Sequence, residues 1–574
     1  MRINAHAHIF NLQTVLTREA IEIIARRIRD RGVPEFVVGA VSRILDRQLD
    51  RPEYLVEEEL LERFIAEIAA DQNFQGFIAS ATSPLPVEIT VLGGGVQGLG
   101  VSALRASLDK LSTYLDARDG SGGGIFDVFE TLRLAMQPDI VGVADRLLEH
   151  LRPDDALVAL MMDITSEQEP ERDRRNFELQ LRGTMEAAVQ RPGRIFPFVA
   201  INPRRSAYLD ILRRAVEEMG FCGVKLYPSL GYAVDTSAMR KVYDYCIRED
   251  IPLLVHCTDG GFYRDAGAIA NSDPDKWYPV LDDYPELRLC FGHCGGWRGL
   301  VGGGPPAPDS WAEEVVGYIR SFPNVCADLS YHVDMMAGGA LETDYFATLH
   351  ALLADPTVAG RILFGTDAWL VRLNITDAHY WKYFERHLTA DEFRQITEEA
   401  PRRFLGLPAA AGTGARPNIE RHLAFLASQS DRVGAEPSAW VRAALPGVAF
   451  TPRTHDPFWT PNNQSHFYTF RYLRDLMTPS HQQLGFSRCG ALRLRQLTYW
   501  QKEHEAAVLF AQRTEANARR LAAFCKANGA TYEGSYDDDS AVTRLAELFA
   551  DGDRTLADMA QSVDAIFRFH AEVV

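Results

Sequence analysis

The chain contains no run of about 18 apolar residues, the length needed to cross a bilayer, and no basic stretch leads into an apolar segment near Met1, so neither a membrane span nor a secretory leader is expected. Cysteine is also sparse. Eight in 574 residues exclude a disulfide scaffold, and Cys222, Cys257, Cys290 and Cys326 lie in or beside apolar runs, as reduced core thiols would. A cytoplasmic protein follows as the expectation. Positive charge is short: Lys+Arg 60 against Asp+Glu 78 gives a net charge of −18, which repels phosphate backbones and anionic lipid. Nucleic acid and membrane surfaces are therefore excluded as expected partners, leaving a small-molecule substrate and room for a homo-oligomer. No solenoid-period repeat or low-complexity tract occurs, and 46% hydrophobic with 24% charged residues is ordinary for a globular protein, which rules out disorder and fibrous architectures.

Short β-rich apolar runs alternate with stretches of helical period from about residue 156 to 367, the pattern of repeated βα units. The runs are ALVALM (156–161), RIFPFVAI (194–201), CGVKLY (222–227), PLLVHC (252–257), LRLCFGH (287–293), NVCADLS (324–330) and RILFGTD (361–367), with MRINAH opening the chain as an eighth. Between them lie amphipathic segments such as YLDILRRAVEEMG and MRKVYDYCIRED, apolar at three- and four-residue steps. This predicts an α/β fold, a (β/α)8 TIM-like barrel formed by residues 1–9 and 156–407. Residues 10–155, 146 in number, are a large helical insertion after strand 1, expected to cap the barrel mouth. Without them about 260 residues remain, close to the roughly 250 of one barrel. After the small-residue linker AAAGTGARP, residues 408–574 are expected to be mainly helical, as in QKEHEAAVLFAQRTEANARRLAAFCKANG.

His6 and His8 occupy alternate positions of the first strand, so both imidazoles face one side, as two ligands of one metal ion require. By itself an HxH is as well explained by two hydrogen-bonded histidines. Here Lys225, His256, His293 and Asp367 follow, each at or just past the C-terminal end of a predicted strand, where catalytic groups of barrels collect. Ligands thus arrive from strands one, four, five, six and eight.

These residues resemble the metal-dependent amidohydrolase superfamily, specifically its amidohydrolase-related (amidohydrolase 2) branch of hydrolases, lactonases and decarboxylases. The resemblance covers about residues 1–10 and 156–407. NAHAHIF is similar to the family's first-strand HxH, LLVHC to its fifth-strand histidine, CFGHCGG to its sixth and LFGTDAW to its eighth-strand aspartate. KLYP resembles the dihydroorotase fourth strand, whose lysine becomes carboxylated and bridges two metals. Asn4 departs from the pattern, since many relatives carry Asp there. The resemblance implies a metal set of His6, His8, Lys225, His256, His293 and Asp367.

Hydrolysis at neutral pH needs a hydroxide, a polarised carbonyl and a proton carrier. Neutral imidazoles with a carboxylate suit one or two Zn2+ ions, Mn2+ and Fe2+ being alternatives. Asp367 takes the role of proton carrier, and His293 is a ligand in a two-metal site or an acid/base or electrophilic group in a one-metal site. Rim positions on strands three, four and seven offer Arg204, Arg205, Tyr227 and Asp328 or Ser330 as substrate contacts, and Trp297, Arg298 and Trp369 follow ligand strands. The Gly- and Pro-rich WRGLVGGGPPAPDSW is either a lid or a plain loop. The expected function is metal-dependent hydrolysis of an amide, ester or lactone bond in a small molecule. A decarboxylase on the same scaffold and a non-catalytic, partner-binding barrel are the alternatives. GGGVQG (93–98) fits GxGxxG after the β-like VEITVL, yet it has no surrounding βαβ unit and reads as a flexible loop.

Overall fold

The computed structural model describes residues 1–452 except 31, 51–56, 81–84, 94–100, 120–123, 138, 150, 166–169, 373–374 and 409–413, and adds 530–532 and 567–569. Eight parallel strands form one sheet in sequence order: β1 (Ile3–His8), β2 (Ala156–Leu160), β3 (Ile195–Ala200), β4 (Gly223–Leu226), β5 (Leu253–His256), β6 (Leu289–Gly292), β7 (Val325–Asp328) and β8 (Ile362–Leu363). The ring is closed from β8 back to β1 by Ala5 N–H donating to Phe364 O and Asp367 N–H donating to His6 O, each at 2.8 Å. This is the (β/α)8 barrel that the alternation of runs predicted. Every residue of these eight strands is buried, as expected where helices cover the outer face and side chains fill the inner one; this is why the strands appear in the sequence as continuous apolar runs rather than alternating ones.

Helices between the strands end on local signals that the sequence carries. Ser237–Arg248 is capped by the Thr236 hydroxyl accepting from Met239 N–H, and Trp311–Ser321 by Ser310 accepting from Glu313 N–H. The glycine- and proline-rich segment before that second helix is fastened by Ala307 N–H to Gly299 O (2.8 Å) and Gly304 N–H to the Thr348 hydroxyl (3.1 Å).

Between β1 and β2 the described residues form helices, among them Arg18–Asp30, Glu35–Asp50, Glu57–Ala70 and Val101–Asp119. VEITVL is not a strand: Val87–Gly93 is helical, burying Ile89 and Leu92 one turn apart, so packing overrides the β-propensity of its branched residues. The rest of GGGVQG lies outside the described residues.

The chain divides into two compact units, one of Met1–Glu53, Leu61–Met136 and Val143–Pro452, the other of Tyr54–Leu60, Gln137–Gly142 and Arg453–Val574. The helix Pro417–Ser428 thus groups with the barrel. Its Ile419, Leu423 and Leu426 join Ile3, Leu254, Cys290 and Cys326 in one buried cluster that fills the N-terminal end of the barrel. Asn418 fastens it there, donating to Cys222 O (3.0 Å) and Leu405 O (2.9 Å) and accepting from Arg288 (3.1 Å). In the second unit Ala530–Tyr532 pairs antiparallel with Phe567–Phe569, whereas the stretch 501–529, expected to be helical, lies outside the described residues. The six described cysteines, which include the four expected to be core thiols, are free and buried. No helix among the described residues is long and apolar enough to cross a membrane.

Candidate metal centre

The first strand is not regular. Ile3 pairs with Ala156 and His8 with Leu160, so five steps along β1 match four along β2, with the irregularity between Asn4 and Ala7. Such a bulge changes which parity of residue faces inward. Ile3 therefore fills the apolar bottom while His6 and His8 both turn to the mouth, their rings 5.2 Å apart. Asn4 stabilises the irregular stretch. Its Oδ1 accepts from His6 N–H (3.2 Å) and Thr366 N–H (2.9 Å), and its Nδ2 donates to Thr366 Oγ1 (2.8 Å), a donation that an aspartate could not make.

Crowding around His6 explains two glycines of the sequence patterns. A Cβ on Gly365 of FGTD would come within 2.5 Å of the His6 Cβ, and one on Gly292 of FGH within 3.1 Å of its Cε1. Directly after β6, β7 and β8 the chain enters left-handed backbone at non-glycine residues: His293 (φ 63°), Cys294 (φ 47°), Tyr331 (φ 58°) and Asp367 (φ 51°). Backbone of this kind costs energy and is held only where surrounding contacts over-determine it, which is characteristic of functional sites. One such contact is His332, which the sequence reading overlooked. Its Nε2 donates to His293 O (3.0 Å), while its Nδ1 accepts from the Tyr345 hydroxyl (2.8 Å) and its N–H donates to the Tyr380 hydroxyl (2.9 Å). The only sequence signal was a histidine two residues past the rim position Ser330.

Asp328 lies beneath the histidines. Its Oδ2 accepts from His6 Nδ1 (2.8 Å); its Oδ1 accepts from His293 N–H (3.1 Å), Ser330 N–H (2.9 Å) and the Ser330 hydroxyl. Burial alone would raise its carboxyl, but His6, His293 and Ser330 hold it well below the ordinary carboxylate range. A carboxylate only accepts, so His6 Nδ1 carries a proton, and an imidazole with that one proton keeps a lone pair at Nε2. That Nε2 is buried without a hydrogen-bond partner. The ligand atoms of His6, His293 and Asp367 all lie within 4.8 Å of one another.

The other two histidines add to this pattern. His8 Nδ1 donates to Leu160 O (3.3 Å), which leaves its Nε2 lone pair free of that bond. His256 Nε2 donates to Gly260 O (3.1 Å), and His293 Nδ1 donates to Ser330 O (3.1 Å) and Oγ (2.9 Å). The nitrogens left over, His256 Nδ1 and His293 Nε2, are then both lone pairs, and they face each other at 3.1 Å. Two acceptors so placed repel unless a cation lies close by. A shared proton is disfavoured, because burial, with the neighbouring imidazoles and Lys225, lowers His8, His256 and His293 well below 6.5. The donor set therefore fits a divalent metal ion, with Asp328 as the group that orients His6.

Lys225 is fully buried with its Nζ making no hydrogen bond, and burial lowers its ammonium to about 8 against the opposing pull of Asp328 and Asp367. Its Nζ stands 5.4 Å from the centre of the Tyr227 ring, which stacks on His256 at 4.0 Å. The proposed substrate contacts divide in two. Tyr227 and Trp369 adjoin the histidines, Trp369 by donating its indole N–H to His8 O (2.9 Å). Asp328 has its oxygens engaged beneath the histidines, and Arg204 donates to Leu230 O (3.2 Å). Arg205 is buried in a bidentate pair with Asp163 (2.6 and 3.0 Å) and is 3.1 Å from Asp173. Arg298 is exposed and stands 3.8 Å from Asp259, beside the ring of Trp297.

A parallel eight-stranded barrel that gathers buried imidazoles and a carboxylate at the C-terminal ends of its strands has the layout of a barrel enzyme. Residues 152–407 match the model of the family described as Amidohydrolase. The match supports an enzyme. Similar solved structures include an uncharacterized TIM-barrel protein from Bordetella bronchiseptica (17% identity, TM-score 0.35, 49% of this chain and 89% of that one). Others are 4-oxalomesaconate hydratase from Rhodopseudomonas palustris (15%, 0.33, 74% and 98%) and a probable 2-pyrone-4,6-dicarboxylic acid hydrolase from Acinetobacter baumannii with citric acid bound (14%, 0.31, 46% and 89%). No curated protein matched the chain.

Proposed function

We propose that the protein is a metal-dependent hydrolase that cleaves an amide, ester or lactone bond of a small molecule. The observation that carries this reading is the buried His6 Nε2, tautomerically fixed by Asp328 and without a partner, within 4.8 Å of ligand atoms of His293 and Asp367. His6, His8, His256, His293 and Asp367 would hold the ion, for which their nitrogen and carboxylate donors favour zinc. When bound, such an ion lowers the pKa of water and polarises a carbonyl.

The chain's own residues supply the rest. Asp367 accepts the proton of the attacking water and returns it to the leaving nitrogen or oxygen. Trp369 and Tyr227 flank the space in which the substrate carbonyl sits, and Arg204 lies at the rim. Lys225, its ammonium lowered to about 8 by burial, keeps an uncharged fraction of amine that can attack carbon dioxide and release a proton; the resulting carbamate would supply oxygen ligands for metal.

Elemental analysis of carefully prepared protein tests the reading, with a panel of amides, esters and lactones assayed before and after chelation. About one equivalent or more of transition metal and chelator-sensitive hydrolysis are expected. Full activity in metal-free protein would overturn the reading, and carbon dioxide release without hydrolysis would replace it with decarboxylation.

A further inference from the structure

We infer that an apolar cavity between the inserted helices and the barrel mouth takes the alkyl tail of the substrate, so that the scissile group is presented to the histidines by a hydrophobic anchor. This rests on the hydrolase reading. The cavity measures about 80 Å³ and is walled by residues from three parts of one compact unit, including Phe10, Val15, Leu45, Leu132, Ala135 and Trp369. Among the described residues Thr131 contributes the one polar side chain of the lining besides the Trp369 indole, and the Thr131 hydroxyl is buried without a partner. Val15, Leu45, Leu132 and Ala135 are buried, so the walls are set by packing. Too small for a helix of a partner, the cavity suits a chain of a few methylenes, which would bind by leaving water.

Its inner wall is continuous with the metal centre. Phe10 stacks on Trp369 at 4.1 Å, and Trp369 donates to His8 O (2.9 Å). On the other side Phe262, also a wall residue, donates its N–H to the Tyr227 hydroxyl (2.9 Å), and Tyr227 stacks on His256. A tail seated there places the atoms attached to it beside both histidines. Most of the wall comes from the insertion rather than from the barrel, so this selectivity belongs to this chain's own helices.

Two titrations on the full chain test the inference. The first uses n-alcohols from ethanol to 1-octanol, which have no scissile bond, followed by calorimetry. Affinity is expected to rise about fourfold per methylene up to the length the cavity holds, and Ala135→Phe, which fills the cavity, is expected to abolish the rise. A flat series in the unaltered protein, or an unchanged series in Ala135→Phe with native circular dichroism, would overturn the inference. Should Ala135→Phe not fold, Leu132→Ala is expected to move the cut-off to longer alcohols, and an unmoved cut-off counts against the cavity. The second titration measures kcat/KM of the zinc-loaded protein on 4-nitrophenyl alkanoates of the same lengths. Hydrolysis without chain-length preference overturns the tail assignment. Absence of any hydrolysis, with the alcohol series as expected, counts against the hydrolase reading and leaves the cavity as an alkyl site.

Discussion

The two ends of the barrel are built from the same strands and do opposite work. On β5, Leu254 lies in the apolar cluster at the bottom and His256 in the candidate metal centre; on β7, Cys326 and Asp328 divide in the same way. Each pair is two residues apart and faces the same side, so the change from hydrocarbon to imidazole or carboxylate takes place over about 7 Å of strand. At the bottom the barrel is closed by the helix Pro417–Ser428 and needs only shape and volume. At the top every polar group needs a specific partner, and several lack one: His6 Nε2, Lys225 Nζ and the facing lone pairs of His256 and His293. An unmet polar group buried in protein is costly. The stability supplied by the lower half is what lets the upper half hold polar groups without partners.

Substitutions at the two ends should therefore separate activity from stability. The largest effect is expected for Asp367→Asn, which removes the proton carrier at nearly constant volume: turnover should fall by about 10²- to 10⁴-fold with the unfolding midpoint little changed. A near-native rate in steady-state assays would mean that another group moves the proton. Asp328→Asn, next, frees the tautomer of His6 and should weaken metal binding by roughly 10- to 100-fold, measured by competition with a chromophoric chelator. At the other end Leu254→Ala leaves a cavity beneath the site and should cost about 2–5 kcal/mol in denaturant unfolding while kcat/KM stays near that of the unaltered protein. If Leu254→Ala lowers kcat/KM as strongly as it lowers stability, the two ends are not independent.

The smallest effect concerns acid. His422, buried at the bottom with Nδ1 donating to Gly220 O, is lowered to about 4 by burial. Below the unfolded value near 6.5 the unfolded chain binds the proton that the folded one refuses, so stability contributed by His422 is full above about 6.5 and is lost as pH falls from there toward 4. Replacing it with Gln should flatten that loss by up to about 3 kcal/mol, read from denaturant midpoints across the pH range, with turnover unaffected.

How much of this is legible in the sequence differs between the two ends as well. Seven apolar runs and MRINAH identified all eight strands, because a parallel strand buried on both faces writes itself as a continuous hydrophobic word. The position of His293 and Asp367 at the barrel mouth was legible because the C-terminal end of a strand is marked by the abrupt stop of its apolar run. VEITVL has a β-like composition, which is only a local signal, and the helix Val87–Gly93 that the helical insertion forms there is imposed by packing. The role of Asp328 beneath the histidines, the support of His293 by His332 and the burial of Arg205 with Asp163 depend on partners 35 to 322 residues apart, which no local pattern records.

What the sequence determined by itself is the list of strands and the side chains at their mouths, since periodicity and apolar length act within a few residues. Only the tertiary structure decided which nitrogen of each imidazole is left bare, that a bulge in β1 turns His6 and His8 inward above Ile3, and that the inserted helices leave an apolar cavity beside them. Those outcomes follow from hydrogen-bond partners and packing across the ring, where residues hundreds of positions apart meet and each fixes what the other is free to do.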